Sequence, residues 1–165
     1  MKPISLCLVQ MGQKGLELVK AYPDVLPENT LNQIIIKSMP MGAQEGDFSS
    51  STANDTVFSG YIFKVPSEVE RSNIASLVAV YNDMKYDSES IRKVFAFTIS
   101  ELKKKDLVDI ETLSRILPNL YTGLVEGQLK IKISSIVTLE FNFNEGKDAN
   151  KDDEALNEFG KDLWK

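Results

Sequence analysis

The fold class is decided by two β-rich runs, Val57-Phe-Ser-Gly-Tyr-Ile-Phe-Lys-Val65 and Asn73-Ile-Ala-Ser-Leu-Val-Ala-Val-Tyr-Asn82. β-Branched and aromatic residues dominate both runs, as is typical of strands. Pro66 and a charged turn through Arg71 separate the two runs. The pattern therefore predicts a β-hairpin in the middle of the chain.

The N-terminal residues predict another hairpin. Ile4 to Met11 is a nearly continuous apolar run, as in a central strand that is covered on both faces. Gly12-Gln13-Lys14-Gly15 supplies turn chemistry, and residues 16–22 resume in a partly alternating pattern. Because Cys7 lies inside the apolar run, we expect it to be a small buried core residue rather than a nucleophile.

A first helix is predicted between the two hairpins. Pro27-Glu28 opens it, with proline expected at the first helical position and the glutamate at the positive end of the helix dipole. Leu31, Ile34 and Ile35 recur at helical spacing, and the break Met39-Pro40-Met41-Gly42 ends the helix.

Two more helices follow the second hairpin. Asp87 is the expected N-cap of the first of them, which carries Lys103-Lys104-Lys105 at its negative end. Asp109 is the expected N-cap of the next, whose apolar residues follow the amphipathic helix pattern to Leu124. Pro118 lies inside that pattern, so we expect the last helix to be kinked or split there.

The remaining segments are less regular. Gln44–Thr56 is polar and turn-rich, with Phe48 its only large apolar residue, and this predicts an exposed, mobile loop. From Glu145 the chain is rich in Lys, Asp, Asn and Glu. We interpret 1–144 as one domain and 145–165 as an acidic linker with a short amphipathic tail. The apolar tail residues could fold back onto a groove or pack on the surface; they are Leu156, Phe159, Leu163 and Trp164.

Residues 129–143 alternate apolar and polar side chains, which predicts an extra one-sided β segment. A two-residue turn at Ser134-Ser135 would pair Ile131 with Thr138 and mix the faces. A three-residue turn would pair Ile131 with Leu139 and keep one apolar face. One long, bent strand is the alternative.

Composition excludes several classes of function. The 165 residues suit a single domain, and the net charge of -5 disfavours nucleic acid as a partner. With no histidine and one cysteine, the chain lacks the residues for a Ser-His-Asp triad, a Cys-His pair, or a structural or histidine-based catalytic zinc centre. We expect no metal and no cofactor. A hydrolase built on paired carboxylates has no motif to support it here but stays open.

Two further absences bear on location and activity. The chain has no phosphate-binding fingerprint of the kind found in GTPases and kinases. It also has no secretion signal and no stretch of 18 apolar residues. We therefore expect a cytoplasmic, non-enzymatic protein, with peripheral contact to anionic lipid through residues 103–105 as an open alternative.

The order strand, strand, helix, loop, strand, strand, helix, helix over residues 4–124 resembles the longin domain. The resemblance implies an α/β (α+β) fold with an antiparallel five-stranded sheet, one helix on one face and two on the other. Two features depart from the family pattern. The path across Gln44–Thr56 to the third strand is long, and the segment 129–143 lies beyond the usual core.

The resemblance also implies a binding platform. Longin-like and roadblock-like domains pair with themselves or each other and present their surfaces to small GTPases and trafficking complexes. We therefore expect an adaptor that forms a homo- or hetero-dimer and binds a small GTPase. A profilin-, PAS- or GAF-like sensor of a small ligand is the alternative. The predicted partner-binding residues lie on the first helix and its exit: Gln33, Ile36, Lys37, Met39 and Met41.

Overall fold

A computed structural model describes residues 2–12, 15–40, 42–65, 74–83, 85–132 and 138–142. The predicted tail, 145–165, lies outside these residues, as do 143 and 144. In chain order the elements are β1 (Ser5–Gly12), β2 (Gly15–Tyr22), α1 (Glu28–Lys37), β3 (Phe48–Ala53), β4 (Thr56–Lys64), β5 (Ile74–Tyr81), α2 (Ser88–Lys104), α3 (Ile110–Glu126), β6 (Gln128–Lys132) and β7 (Thr138–Asn142).

Strands β1 to β5 form one antiparallel sheet in the order β2-β1-β5-β4-β3. The predicted pairings of β1 with β2 and of β4 with β5 are both confirmed. The most apolar runs occupy the middle of the sheet, because a strand with neighbours on both sides and helices on both faces is shielded from water. Seven of the eight residues of β5 are buried.

Alternation along the strands divides the core between the two faces of the sheet. Leu77 and Ala79 pack in one cluster with buried residues of α2 and α3, such as Phe95 and Leu120. Val78 lies on the opposite face, in a second cluster with α1. The sheet therefore has one helix on one face and two on the other, as the fold-class prediction stated.

The expected loop over 44–56 is wrong for its central part, because Phe48–Ala53 forms β3, an edge strand of the five-stranded sheet. A two-residue turn joins β3 to β4, with Asn54 at a left-handed φ of 55°. The Oγ1 of Thr56 donates a hydrogen bond to the carbonyl of Ala53 at 2.6 Å. A run of serines has little strand propensity of its own, so the β4 ladder, not local sequence, makes this segment extended.

The N-caps Asp87 and Asp109 are confirmed: their carboxylates accept hydrogen bonds from the N–H groups of Ser90 and Thr112 at 3.2 and 2.7 Å. In α1, Pro27 occupies the N-cap position rather than the first helical position.

The sequence predicted that the last helix would be kinked or split at Pro118. A split is wrong, because α3 runs unbroken from Ile110 to Glu126. Proline has no N–H to give to the carbonyl four residues earlier, which is that of Ser114. The Nζ of Lys20, on β2, donates a hydrogen bond to that carbonyl at 3.1 Å. A cross-element contact thus replaces the missing helix bond and also ties α3 to the edge of the sheet.

We expect Lys20→Met to lower the free energy of unfolding by about 1–2 kcal/mol, because it leaves the carbonyl of Ser114 without this donor. Pro118→Ala restores the helical N–H, so the same lysine substitution should have a smaller effect in that background. Urea denaturation of the four variants of this double-mutant cycle measures the difference. Equal losses in the two backgrounds would contradict the assigned role of Lys20.

Strands β6 and β7 form a separate two-stranded sheet in which Ile131 pairs with Leu139. This is the register that the three-residue turn predicted; the single bent strand is wrong. Ile131 is 1% exposed and belongs to the core on the α2 and α3 side. The alternating segment therefore adds a ribbon to the domain without extending its main sheet.

Candidate interaction surface

Helix α1 presents an exposed apolar residue next to polar ones. Its buried residues are Thr30 and Ile34, which face the sheet. Ile36 follows Ile34 by two positions, about 200° around the helix axis, and so points away from the sheet. Its side chain is 70% exposed, the highest value among the large exposed hydrophobic residues of the described chain.

Gln33 connects α1 to the turn between β3 and β4. Its Nε2 donates to Oδ1 of Asn54 at 2.9 Å, and its Oε1 accepts from the N–H of Asn54 at 3.3 Å. The Nδ2 of Asn54 also donates to Oγ1 of Thr30 at 2.9 Å. The tip of the β3–β4 hairpin is therefore held against α1 by three hydrogen bonds.

Lys37 makes a second connection. Its Nζ donates to the carbonyl oxygen of Thr52, on β3, at 2.7 Å. Ile36 thus lies beside two residues whose polar groups bond to the neighbouring hairpin. We call Gln33, Ile36, Lys37 and strand β3 the α1–β3 surface.

Two of the predicted contact residues do not belong to the exposed part of this surface. Met39 is 9% exposed and packs in a core cluster with Val9 and Ile62. Met41 lies outside the described residues. Sequence reasoning missed Thr52 and Asn54, since their role depends on β3, which the sequence did not predict.

A groove of about 250 Å³ adjoins the α1–β3 surface at the exit of α1. Pro40, Ala43 and Ile62 contribute apolar walls, and Asp47 and Ser49 contribute polar groups. Its volume is below the range of about 300–1,000 Å³ that is usual for small-molecule sites. The groove is therefore better suited to a single side chain than to a whole metabolite.

Glu45 anchors the segment that borders this groove. Its carboxylate accepts hydrogen bonds from Nζ of Lys103, on α2, and from the N–H of Lys64 at 3.0 Å. The hydrogen bond from Lys103 is the main reason that the pKa of Glu45 lies below its usual value. Next to it, Asp47 accepts from the N–H of Gln44 at 2.8 Å. The segment that precedes β3 is therefore hydrogen-bonded to α2 as well.

A cluster of hydroxyl groups lies on the other face of the sheet. The ring of Tyr86 stacks on that of Tyr81, with centroids 4.3 Å apart. The hydroxyl of Tyr86 is 2.6 Å from Oγ of Ser59, which is itself 2.6 Å from Oγ of Ser50.

A surface pocket of about 220 Å³ lies beside the stacked rings. Its lining carries both charges, from Lys2, Asp83 and Lys85. The pocket therefore favours neither anions nor cations.

Within the part of the chain that the structure describes, no cluster of three or more acidic or cysteine side chains could hold a metal ion. No helix there is long and apolar enough to cross a membrane. In comparisons with known proteins, the chain matches no family model and no curated protein.

Proposed function

We propose that this protein is a cytoplasmic, non-enzymatic, longin-like adaptor that dimerises and binds a small GTPase or a trafficking-complex subunit. Any nucleotide-exchange activity would belong to the assembled complex. The observation that carries the proposal is the α1–β3 surface, where an exposed isoleucine lies beside two side chains that are hydrogen-bonded to a neighbouring hairpin.

The α1–β3 surface has the features of a small protein-binding site. Ile36 offers an apolar anchor, and Gln33 and Lys37 form a polar rim along one side of it. Because both rim residues are held by hydrogen bonds to the β3–β4 hairpin, little side-chain freedom remains to be lost when a partner binds.

The fold supports the same proposal. A five-stranded antiparallel sheet with one helix on one face and two on the other is what the longin resemblance implies. Helix α1 ends at Lys37 and strand β3 begins at Phe48, so the connection to the third strand is shorter than the predicted path across Gln44–Thr56. That path was one of the two departures from the longin pattern. The ribbon β6–β7 remains an addition to that pattern.

We expect Ile36→Asp to weaken binding to a small GTPase at least tenfold, because a charge replaces the apolar anchor. The measurement is a titration of the full chain against a panel of small GTPases, each loaded with GDP or with a non-hydrolysable GTP analogue. Ser100→Asp is the matched control, since it adds the same charge at an exposed position of α2. Its affinity should equal that of the wild type.

Two outcomes would count against the proposal. Absence of binding to every GTPase in both nucleotide states would reject the partner class. Binding that Ile36→Asp leaves unchanged would reject the α1–β3 surface while keeping the partner. If the protein is instead a sensor of a small ligand, a metabolite should raise its melting temperature. At 100 times its dissociation constant, such a ligand raises the free energy of unfolding by about 2.7 kcal/mol.

A further inference from the structure

Two glycines flank a short exposed segment between α1 and β3. Gly42 and Gly46 have φ angles of 81° and 92°, in the left-handed region that favours glycine. Apart from its chain neighbours, a Cβ at either position would meet no atom of the described residues within 4 Å. The two glycines are therefore needed for the backbone conformation and not for close packing. We call residues 43–45, which lie between them, the strap.

The chain is fixed on both sides of the strap. Before it, Ser38 and Met39 are buried. After it, the N–H of Gly46 donates to the carbonyl of Ile62 at 2.8 Å, and the carbonyl of Asp47 accepts from the N–H of Ile62 at 2.9 Å. The strap therefore connects two anchored points of the fold.

Little apolar burial holds the strap itself. Ala43 is partly buried against the core cluster that contains Met39 and Ile62, but its side chain is a single methyl group. Gln44 and Glu45 are exposed. Gln44 bonds to Asp47 through exposed groups, which water can solvate when the bonds open. A segment with few buried apolar contacts belongs to the part of a protein that opens most easily.

Glu45 bonds the strap to other elements of the fold. Its carboxylate accepts from Nζ of Lys103, on α2, at 2.5 Å and from the N–H of Lys64, at the end of β4, at 3.0 Å. Water reaches both members of the ion pair, since the side chain of Glu45 is 35% exposed and that of Lys103 is 40% exposed. An exposed ion pair contributes little free energy and is weakened by salt, so this contact can be broken without unfolding the protein.

We propose that the strap opens on Gly42 and Gly46 as hinges, and that the ion pair between Glu45 and Lys103 controls how often it opens. Gly42 and Ala43 line the groove of about 250 Å³ at the exit of α1. Opening therefore enlarges this groove and removes the cover that Ala43 gives to the core cluster behind it. An anionic group that binds Lys103 in place of Glu45 shifts the strap towards the open state. The inference goes beyond the proposed function, because it concerns access to the groove whichever partner binds.

The reactivity of a cysteine in the strap measures how often it opens. Ala43→Cys places a thiol where the closed strap partly buries it, and its rate of reaction with dithionitrobenzoate rises with the open fraction. We expect Lys103→Met, combined with Ala43→Cys, to raise this rate about two- to fivefold, as loss of an exposed ion pair implies. Cys7 is 0% exposed, and its slow reaction in the wild type gives the baseline.

Lys104→Met, also combined with Ala43→Cys, is the matched control. It removes the same charge from the same helix, but Lys104 pairs with Glu101, 3.7 Å away, and not with the strap. We expect it to leave the rate unchanged. The melting temperature of each variant shows whether it retains the fold.

Hydrogen exchange shows whether the opening is confined to the strap. The N–H of Lys64 is bonded to the carboxylate of Glu45, so opening of the strap exposes it. The N–H of Ile62 is bonded to the carbonyl of Asp47, beyond the second hinge. In the otherwise wild-type chain we expect Lys103→Met to accelerate exchange at Lys64 about two- to fivefold and to leave exchange at Ile62 unchanged.

Salt tests the ion pair without any substitution. Raising the ionic strength from about 0.01 M to about 1 M shortens the Debye length from about 30 Å to about 3 Å. We therefore expect exchange at Lys64 to accelerate with salt in the wild type but not in Lys103→Met.

Three results would overturn the proposal. Equal cysteine reactivity in the Lys103→Met and Lys104→Met variants would show that the ion pair does not control the strap. Exchange at Ile62 that accelerates together with exchange at Lys64 would show that the opening is not confined to the strap. A wild-type chain whose exchange at Lys64 does not respond to salt would reject the electrostatic control.

Discussion

Phe95→Ala is expected to lower the free energy of unfolding by about 3–5 kcal/mol. Phe95 is 0% exposed and is one of the largest fully buried side chains of the described chain. It lies on α2 in the cluster that joins α2 and α3 to the sheet. Truncation removes buried apolar surface and leaves a cavity that the strands and helices around it cannot close completely.

The same helix provides the control. Phe97 lies two residues further along α2 and is only partly buried against the same cluster. Phe97→Ala makes the same chemical change, and we expect a loss of less than half that of Phe95→Ala. Urea denaturation followed by circular dichroism measures both free energies. Equal losses would contradict the assigned packing of α2 on the sheet.

Alkaline pH is expected to destabilise the protein through Cys7. Burial raises the pKa of its thiol from 9.0 to about 12, with a smaller contribution from the charge of Asp24 and an opposing one from a hydrogen bond with Ser5. Below pH 9 the thiol is neutral in both the folded and the unfolded chain, so it adds no pH dependence. Above pH 9 the unfolded thiol ionises while the folded thiol stays protonated. Stability therefore falls as pH rises, by about 1.4 kcal/mol per pH unit.

Cys7→Ala isolates this contribution. We expect the variant to be less stable at neutral pH, since it loses buried volume, but its stability should be nearly flat between pH 9 and 10. The phenol of Tyr81 has its pKa raised from 10.0, mainly by burial, and adds a dependence of the same sign that is small near pH 9 and becomes large only as the pH passes that value. Denaturation midpoints measured at half-unit steps of pH give the slope of stability against pH for the wild type and for Cys7→Ala. A wild-type slope no steeper than that of Cys7→Ala would contradict the predicted role of the thiol.

Much of the fold could be predicted because its signals are local. The apolar runs of β1 and β5, the caps Asp87 and Asp109, and the amphipathic pattern of α3 each depend on residues close in sequence. The register of β6 with β7 was also predictable, since a shift by one residue would move the apolar side chains to the wrong face.

The candidate site was predicted only in part. Helical spacing placed Ile36 away from the apolar stripe of α1, and the structure exposes it. Met39 follows the end of the helix, where helical spacing no longer applies, and its side chain packs in a cluster with Val9 and Ile62. The partners of Gln33 and Lys37 lie on the β3–β4 hairpin, about 15 to 21 residues away in sequence.

By itself, the sequence determined the class of the fold, the order of most elements and the absence of histidine chemistry, because composition and periodicity are properties of the chain. Only the tertiary structure decided that the serine-rich segment is a strand, that α3 continues through Pro118, and that α1 is bonded to the β3–β4 hairpin. For α3 and α1 the deciding hydrogen bonds come from residues distant in sequence, such as Lys20 for Ser114. Backbone groups must find partners wherever the fold offers them, and no local pattern records which distant residue provides one.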